Sequence, residues 1–194
     1  MDSTTATLIA AIVVMVIFSA YFSATETAFS SLNKIRLRSK AEAGDTRAAL
    51  TLSIADEYDR MLSTILIGNN IVNITASTLG TVLFTRLFNA YGPTISTVVL
   101  TVVVLIFGEI SPKSIAKESP ERIAMWASPL LRVLLVILRP LNFLFSQWKR
   151  LLSHIIRPAD GEGITEDELI TMVSEAENEG GLDQHESQLI RSAI

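Results

Sequence analysis

The sequence predicts an all-α integral membrane protein with three transmembrane helices, an interfacial juxtamembrane helix and a short cytoplasmic helical segment. Hydrophobic residues make up 49% of the 194 positions and charged residues only 19%, which is typical of membrane proteins. The apolar residues occur in blocks, and three blocks approach the roughly 17–25 residues that a helix needs to cross a bilayer. The last third of the chain is instead acidic and has helical patterns of its own.

Composition also limits the chemistry that this chain can use. Cysteine is absent, which excludes a disulfide framework, a thiolate metal site and a cysteine nucleophile. The net charge is −4, and the lysines and arginines cluster beside the apolar blocks rather than forming an extended basic face, so we expect no nucleic-acid partner. Both histidines, His154 and His185, lie outside the three blocks, so a metal site within the membrane would be built from oxygen ligands.

The first apolar block covers residues 8–22 and continues as a more polar helix to Phe29. A secretory signal peptide would begin with positive charges, whereas the only charge before this block is Asp2. We therefore predict that the first block is a retained span.

The second and third spans are predicted at residues 61–84 and 93–110. Asparagine, serine and threonine interrupt the second block, whereas the third carries no charge before its last residues. A basic cluster of Lys34, Arg36, Arg38, Lys40 and Arg47 follows the first span, only Arg86 lies between the second and third, and Lys113, Lys117 and Arg122 follow the third. The positive-inside rule then predicts a multi-pass protein of the inner (plasma) membrane, with its N-terminus outside and its C-terminus in the cytoplasm.

A fourth apolar stretch, residues 123–148, is long enough for a span, but we predict an amphipathic helix at the cytoplasmic interface. Arg132 and Arg139 are seven residues apart, which would place them on one helical face toward lipid phosphates. Pro129 and Pro140 are expected to break the helix. This interpretation makes membrane lipid a partner, whereas a true fourth span would carry the C-terminus outside.

Residues 1–158 are predicted to form the membrane domain, and residues 159–194 an acidic cytoplasmic segment. Thr165 and Glu168 have the spacing of a capping box that opens a helix. A second helical pattern begins at Asp183 and stops with its apolar residues uncovered. Because two short helices bury little core, we expect that the chain stops before a missing regulatory domain.

The third block ends in Gly-Glu-Ile-Ser-Pro-Lys, which places a carboxylate and a helix-breaking proline at the membrane. An ionisable residue there is costly to bury and indicates a functional site. In an α-helix, Pro112 lacks the N–H that would bond the Gly108 carbonyl, so an oxygen is freed beside Glu109. Two such oxygens suit a hard cation such as Mg²⁺ or Na⁺. Alternatively, the helix ends at the interface and Glu109 pairs with Lys113, and these residues alone leave both interpretations open.

Polar side chains of the other two blocks supply further oxygen ligands. Asn69, Asn70 and Asn73 are spaced as neighbours on one helix surface. With Ser23 in the first block and Glu109 in the third, they lie at one predicted depth in the cytoplasmic half of the membrane. For Ser23, Asn70 and Glu109 this coincidence favours cation binding.

Other polar positions have competing interpretations. For Asn73 and Ser77 the sequence favours hydrogen bonding across a helix interface over a role in binding sodium or another metal ion. Glu26 would either bind the ion or pair with Lys34 or Lys113 near the interface.

Three motifs together resemble the transmembrane domain of the CorC/CNNM magnesium transporters. They are residues 22–28 with 32–37, residues 67–74 and residues 107–113, in the order and at the spacing of that family. The resemblance runs from about the first residue to Arg157. The acidic helices after Gly163 look like the segment that leads into paired CBS domains, which in that family bind ATP with magnesium and are absent from this chain.

The resemblance implies a homodimer of three-span protomers that exports Mg²⁺, driven by Na⁺ entry, through alternating access from an inward-facing site. ATP would act only through the absent CBS domains. The residues that it carries onto this chain share oxygen ligands: Ser23, Asn70, Gly108 and Glu109, with Glu26 and Asn69 as further members.

Two other function classes remain open at this point. One is a non-transporting Mg²⁺ sensor or dimeric membrane anchor for a cytoplasmic regulatory domain. The other is an intramembrane enzyme that uses Glu26 and Glu109 as a carboxylate pair. We expect no enzyme, because the spans offer no His, Cys or Asp and no Gly-x-Ser-x-Gly motif.

The charge pattern yields a test of topology. A reporter fused after Glu42 should be cytoplasmic and one after Ala90 external, because the first loop is far richer in positive charge than the second. A reporter at Gly161 should again be cytoplasmic. An external signal at Gly161 would establish a fourth span and contradict the interfacial helix.

Overall fold

The structure, a computed structural model, describes residues 2–155, 166–178 and 183–193, and all regular secondary structure within them is helical. The α-helices are α1 Ser3–Ser31, α2 Lys34–Glu42, α3 Thr46–Asp56, α4 Tyr58–Phe88, α5 Gly92–Val103, α6 Ser111–Glu118, α7 Pro120–Ile137, α8 Arg139–Ile155, α9 Glu166–Asn178 and α10 Gln184–Ala193. A 3₁₀ turn, Asn89–Tyr91, joins α4 to α5, and a π-helix, Val104–Ile110, joins α5 to α6. We call this π-helix the π segment. The chain divides into two compact units, residues 1–144 and 145–194.

Two helical stretches of the described residues are long and apolar enough to cross a membrane, namely Ser3–Ser31 and the 61-residue stretch Tyr58–Glu118. The bent pair of α7 with Arg139–Phe145 would be a third if it counted as one span. A straight helix of 61 residues would be about 90 Å long, three times the hydrocarbon thickness. The second stretch instead doubles back at Asn89–Tyr91 and provides two apolar legs. The three predicted blocks are therefore all helical, and the predicted all-α membrane fold is confirmed.

Small residues allow α4 and α5 to pack as an antiparallel hairpin. A Cβ atom on Gly80 would lie 2.0 Å from Leu100 Cδ1, and one on Gly92 would lie 2.4 Å from Thr85 Cα. The turn between the helices uses Asn89, whose φ of 49° and ψ of −122° lie in a region that favours glycine. Glycine at the two contacts is what permits this close approach.

Helix α1 is the central element of the first unit, since it packs against α4, the π segment, α6 and α7. The ring of Phe22 covers Gly68 of α4, where a Cβ atom would lie 2.3 Å from Phe22 Cζ. On another side of α1, the Tyr21 hydroxyl donates a hydrogen bond of 2.8 Å to the Ala127 carbonyl of α7. These contacts fix the depth of α1 relative to its neighbours.

Two short helices connect α1 to α4. Helix α2 packs against α3, and α3 packs against α7. The Asn33 side chain caps α2, and the Asp45 side chain caps α3 by accepting hydrogen bonds from backbone N–H groups. The Thr51 hydroxyl of α3 lies 2.7 Å from the Ser128 hydroxyl of α7, and both residues are fully buried. The basic loop predicted from the sequence is therefore an ordered helical pair.

The fourth apolar stretch differs from its prediction in where it bends. Helix α7 continues through Pro129, and the chain turns by 68° between Ile137 and Arg139. Arg132 and Arg139 consequently belong to different helices, and the expectation that they share one helical face is wrong. The missing N–H of Pro140 falls in the first turn of α8, where it costs little.

The second unit contains the acidic helices. In α10 the Asp183 carboxylate accepts hydrogen bonds from the N–H groups of His185 and Glu186, while the Glu186 carboxylate accepts one from the Asp183 N–H. This is a capping box. The Ser187 hydroxyl donates a 2.6 Å hydrogen bond to Glu177 of α9. The capping box predicted at Thr165 lies outside the described residues.

The hairpin contact gives a stability prediction. Replacing Gly92 with Ala should lower the unfolding free energy by about 1–3 kcal/mol, because the new methyl group meets backbone atoms that have no rotamer to yield. The matched control is Tyr91→Ala, since Tyr91 is 77% exposed and its removal should change little. Thermal unfolding in detergent measures both, and equal melting temperatures for Gly92→Ala and the parent would contradict the close approach.

Candidate cation-binding site

Three apolar segments meet at Ser19, a fully buried residue of α1. Its hydroxyl donates a 3.3 Å hydrogen bond to Asn69 Oδ1 of α4. It also lies against Gly108 of the π segment, where a Cβ atom would be 2.9 Å from Ser19 Oγ. Of the residues predicted from the sequence, the structure therefore brings together Asn69 and Gly108. Ser19 itself was not among the predicted ligands, although its spacing of four residues from Ser23 places the two serines on one helical face.

Ser23 lies one turn farther along α1 and carries an unusual hydroxyl. The residue is 1% exposed, and its buried Oγ has no hydrogen-bond partner within the part of the chain that the structure describes. A buried polar group without a partner costs about 1–3 kcal/mol. Such an atom beside the meeting point of three helices is a candidate ligand for a cation or a water molecule.

The π segment changes the backbone hydrogen bonding that the sequence predicted around Pro112. The Ser111 N–H bonds the Ile106 carbonyl, five residues earlier, rather than the carbonyl four residues earlier. In that register the carbonyl that Pro112 leaves without its usual partner is that of Phe107, whereas in an α register it is that of Gly108. The chain stays helical through Pro112 to Glu118, so the predicted irregularity takes the form of a shift in register.

The two other predicted ligands lie on more open surface. Asn70 is exposed, and its Nδ2 donates a 2.9 Å hydrogen bond to the Leu66 carbonyl of its own helix. This leaves Asn70 Oδ1 as the side-chain atom that faces outward to accept a donor or a cation. Glu109 is half-buried and forms no salt bridge among the described residues. The structure does not connect Asn70 to Ser23 or Glu109 by a hydrogen bond in its described part.

Glu26 is paired with a lysine. The Lys113 ammonium lies 3.4 Å from Glu26 Oε2, with both side chains partly exposed. The other lysine considered from the sequence, Lys34, instead lies 3.3 Å from Asp56 and donates to the Ala55 carbonyl. Lys113 therefore compensates the charge of Glu26 in this conformation, whereas Glu109 forms no salt bridge in the described part of the chain.

No group of three or more His, Cys, Asp or Glu side chains in the described residues is placed to hold a metal ion. A cation at this place would therefore bind mainly to neutral oxygens, with Glu109 as the principal charged ligand. Such a site suits hard cations and is weaker than a cage of several carboxylates. Moderate affinity is what a transported ion requires, because it must also leave.

A second polar surface begins at Asn69, which also contacts Ser19. Asn73 Nδ2 donates to Asn69 Oδ1 at 3.4 Å, and the buried Asn73 Oδ1 has no partner in the described part of the chain. Asn73 lines an open groove of about 240 Å³ between α4 and the helices that follow it. Oxygen-bearing side chains of the groove are Asn73, Ser77, Thr97 and Thr101. The two threonines of α5 were not singled out by the sequence, because threonine is common in membrane helices.

Comparison with known proteins agrees with the motifs. The family described as the cyclin M (CNNM) transmembrane N-terminal domain matches residues 9–186. A UPF0053 protein of Haemophilus influenzae is 38% identical over 187 residues, which cover 95% of this chain and 44% of that protein. The UPF0053 inner membrane protein YfjD of Escherichia coli is 44% identical over 138 residues, covering 71% of this chain and 32% of that protein.

A more distant relative carries a functional name. The Polyamine export protein of Haemophilus influenzae is 25% identical over 199 residues, which cover 95% of this chain and 46% of that protein. This chain thus spans less than half the length of each of these three relatives.

The contrast between the two serines gives a prediction. In the presence of EDTA, Ser23→Ala should raise the unfolding free energy by about 1–3 kcal/mol, because it removes a buried hydroxyl that lacks a partner. Ser19→Ala is the matched control and should lower it by about 0.6–2 kcal/mol, because a hydrogen bond between helices is lost. Thermal melts in detergent distinguish the two signs, and a loss in both variants would mean that Ser23 already has a protein partner.

Proposed function

The chain belongs to the cyclin M (CNNM) transmembrane-domain family, and from that premise we propose that it exports Mg²⁺ across the inner membrane, driven by Na⁺ entry. The observation that carries the proposal is the Ser23 hydroxyl, which is buried without a hydrogen-bond partner among the described residues, one helical turn from the contact of Ser19 with Asn69 and Gly108. Mg²⁺ takes oxygen ligands in near-octahedral geometry and keeps several waters. In this proposal Ser23, Asn70, Glu109 and a backbone carbonyl freed before Pro112, that of Gly108 or of Phe107, replace part of its hydration shell.

Charge balance suggests how binding is linked to a change of conformation. Glu109 supplies one negative charge, while Glu26 is held by Lys113 at 3.4 Å. A divalent ion beside Glu109 keeps one uncompensated positive charge, which attracts Glu26 and repels Lys113. We propose that Mg²⁺ binding draws Glu26 away from Lys113, and that Pro112 and the π segment provide the hinge. Discontinuous helices form the substrate and ion sites of known secondary transporters.

The coupling ion would use the polar groove between α4 and α5. Its oxygen ligands are uncharged, which suits a monovalent cation such as Na⁺ better than a divalent one. Asn69 links the two places, because its Oδ1 accepts hydrogen bonds from both Ser19 and Asn73. Rotation of Asn73 toward Na⁺ would break its hydrogen bond to Asn69 and make Asn69 available to the Mg²⁺ site. Conversely, binding of Mg²⁺ at Asn69 would release Asn73 toward the Na⁺ site. Asn73 and Ser77 are thus proposed as sodium ligands, whereas the sequence favoured a role in helix packing.

We propose a homodimer in the inner membrane with the N-terminus outside, and a longer protein in which ATP acts through domains beyond this chain. The Escherichia coli relative is named an inner membrane protein, which supports that location. A non-transporting sensor would bind the same ion but produce no flux.

A second candidate function is export of an organic polycation. One relative is named a polyamine export protein. In this chain a primary ammonium, that of Lys113, already lies on Glu26, which is the chemistry by which a polyamine would be bound. Both substrates would need carboxylates, but a polyamine needs no octahedral set of oxygens.

A flux assay separates these functions. Liposomes that contain the protein and are loaded with Na⁺ should accumulate external Mg²⁺ faster when Na⁺ can flow out down its gradient. They should show no comparable uptake of spermidine. Spermidine flux without Mg²⁺ flux would replace the magnesium proposal by the polycation one. Binding of Mg²⁺ with no flux of either ion would leave the sensor.

Glu109→Gln tests the site. It keeps shape and hydrogen bonding but removes the charge that compensates a cation, so Mg²⁺ should bind at least about tenfold more weakly, given about 1.5–3 kcal/mol for a charged interaction. Glu42→Gln on the exposed part of α2 is the matched control and should bind Mg²⁺ as the parent does. Mg²⁺-dependent shifts in melting temperature measure both variants. Equal shifts in Glu109→Gln and the parent would show that Glu109 is structural.

A further inference from the structure

The break between α6 and α7 forms a groove of about 460 Å³ that the proposed transport does not use. Ser119 separates the two helices with a non-helical backbone of φ −143° and ψ 63°. The groove is lined by Ile115, Glu118, Ser119, Arg122, Ile123 and Trp126. It thus combines one cationic, one anionic and three apolar side chains.

The two charges of the groove are available to a ligand. Arg122 and Glu118 are both exposed, and neither takes part in a salt bridge among the described residues. Glu121, the neighbour of Arg122, is instead paired with Arg36 at 3.5 Å, so it does not compete for the Arg122 guanidinium. An arginine at the first turn of α7 is well suited to a phosphate group, since its planar donors match phosphate oxygens and the helix dipole adds to the attraction.

The apolar wall is fixed in place. Trp126 is 62% exposed, yet its ring packs edge-on against buried Tyr21 with 5.9 Å between ring centroids. Ile115 on the opposite helix is 58% exposed. Tryptophan is enriched at headgroup depth in membranes, and this groove follows the end of the third apolar leg. An amphipathic occupant with a charged head and an apolar body matches the whole surface.

We infer that this groove binds the headgroup of an aminophospholipid such as phosphatidylethanolamine. Arg122 would bind the phosphate and Glu118 the primary ammonium, while Trp126 and Ile115 would contact the upper acyl chain. The opposite charges of Arg122 and Glu118 select which lipid headgroup binds. Phosphatidylglycerol offers no cation for Glu118, and the trimethylammonium of phosphatidylcholine has no N–H to donate to it.

Fluorescence quenching by brominated lipid tests the inference. The protein, in a Trp148→Phe background so that Trp126 is the one tryptophan, is placed in vesicles of equal parts phosphatidylethanolamine, phosphatidylglycerol and phosphatidylcholine. Only one lipid is brominated at a time, near the headgroup end of its chains, so the membrane composition stays constant. Brominated phosphatidylethanolamine should quench most, with about fivefold local enrichment, which corresponds to about 1 kcal/mol.

Variants assign the preference to the two charges. Arg122→Gln and Glu118→Gln should each make the three lipids quench alike, whereas Arg38→Gln, at an exposed arginine of α2 outside the groove, should keep the preference. If Arg122→Gln loses its helical circular dichroism, Glu118→Gln carries the test by itself. Equal quenching by all three lipids in the unmutated groove, or strongest quenching by phosphatidylglycerol, overturns the inference. Neither outcome depends on whether the protein transports Mg²⁺.

Discussion

Close approach of α1 to both α4 and the π segment is the constraint on which the rest of the structure depends. Helices in lipid gain little from hydrophobic burial against one another, so they associate where small residues let their backbones come close. Gly68 receives the Phe22 ring, and Gly108 receives Ser19. These two contacts bring the Ser19 hydroxyl to Asn69 and leave Ser23 buried without a hydrogen-bond partner in the described part of the chain. The polar meeting point is thus a consequence of how tightly the apolar helices pack.

The π segment adapts the third leg to this packing. A π-helix inserts an extra residue per turn, which rotates everything after it and often occurs at functional sites. Here the extra residue precedes Pro112, which cannot supply an N–H in either register. Lys113 follows directly and reaches Glu26 on α1. The irregular backbone and the one salt bridge between α1 and α6 in the described residues therefore lie side by side, at the end of the leg that carries Glu109.

The polar groups where α1, α4 and the π segment meet are mostly uncharged. Glu26 has Lys113, whereas Glu109 has no opposite charge among the described residues, and the other polar groups are neutral. An ion at this place would be bound by neutral oxygen atoms in a fixed arrangement and by one carboxylate. The Ser19–Asn69–Asn73 hydrogen bonds then connect that place to the groove between α4 and α5, so that two polar surfaces share the amide of Asn69.

The sequence by itself determined the helical membrane fold, the three apolar legs and the family. These depend on composition, block length and linear motifs, which survive without tertiary contacts. It also identified Asn69, Gly108 and Glu109 as candidates, because polar groups in apolar blocks stand out. Only the tertiary structure decided that Ser19 contacts both Asn69 and Gly108, that Lys113 rather than Lys34 pairs with Glu26, and that the helix shifts register before Pro112 instead of ending there. It also decided that α7 passes through Pro129 and bends at Leu138. Each of these outcomes depends on which neighbour lies within a few ångströms, and that distance is set by packing between segments far apart in the chain.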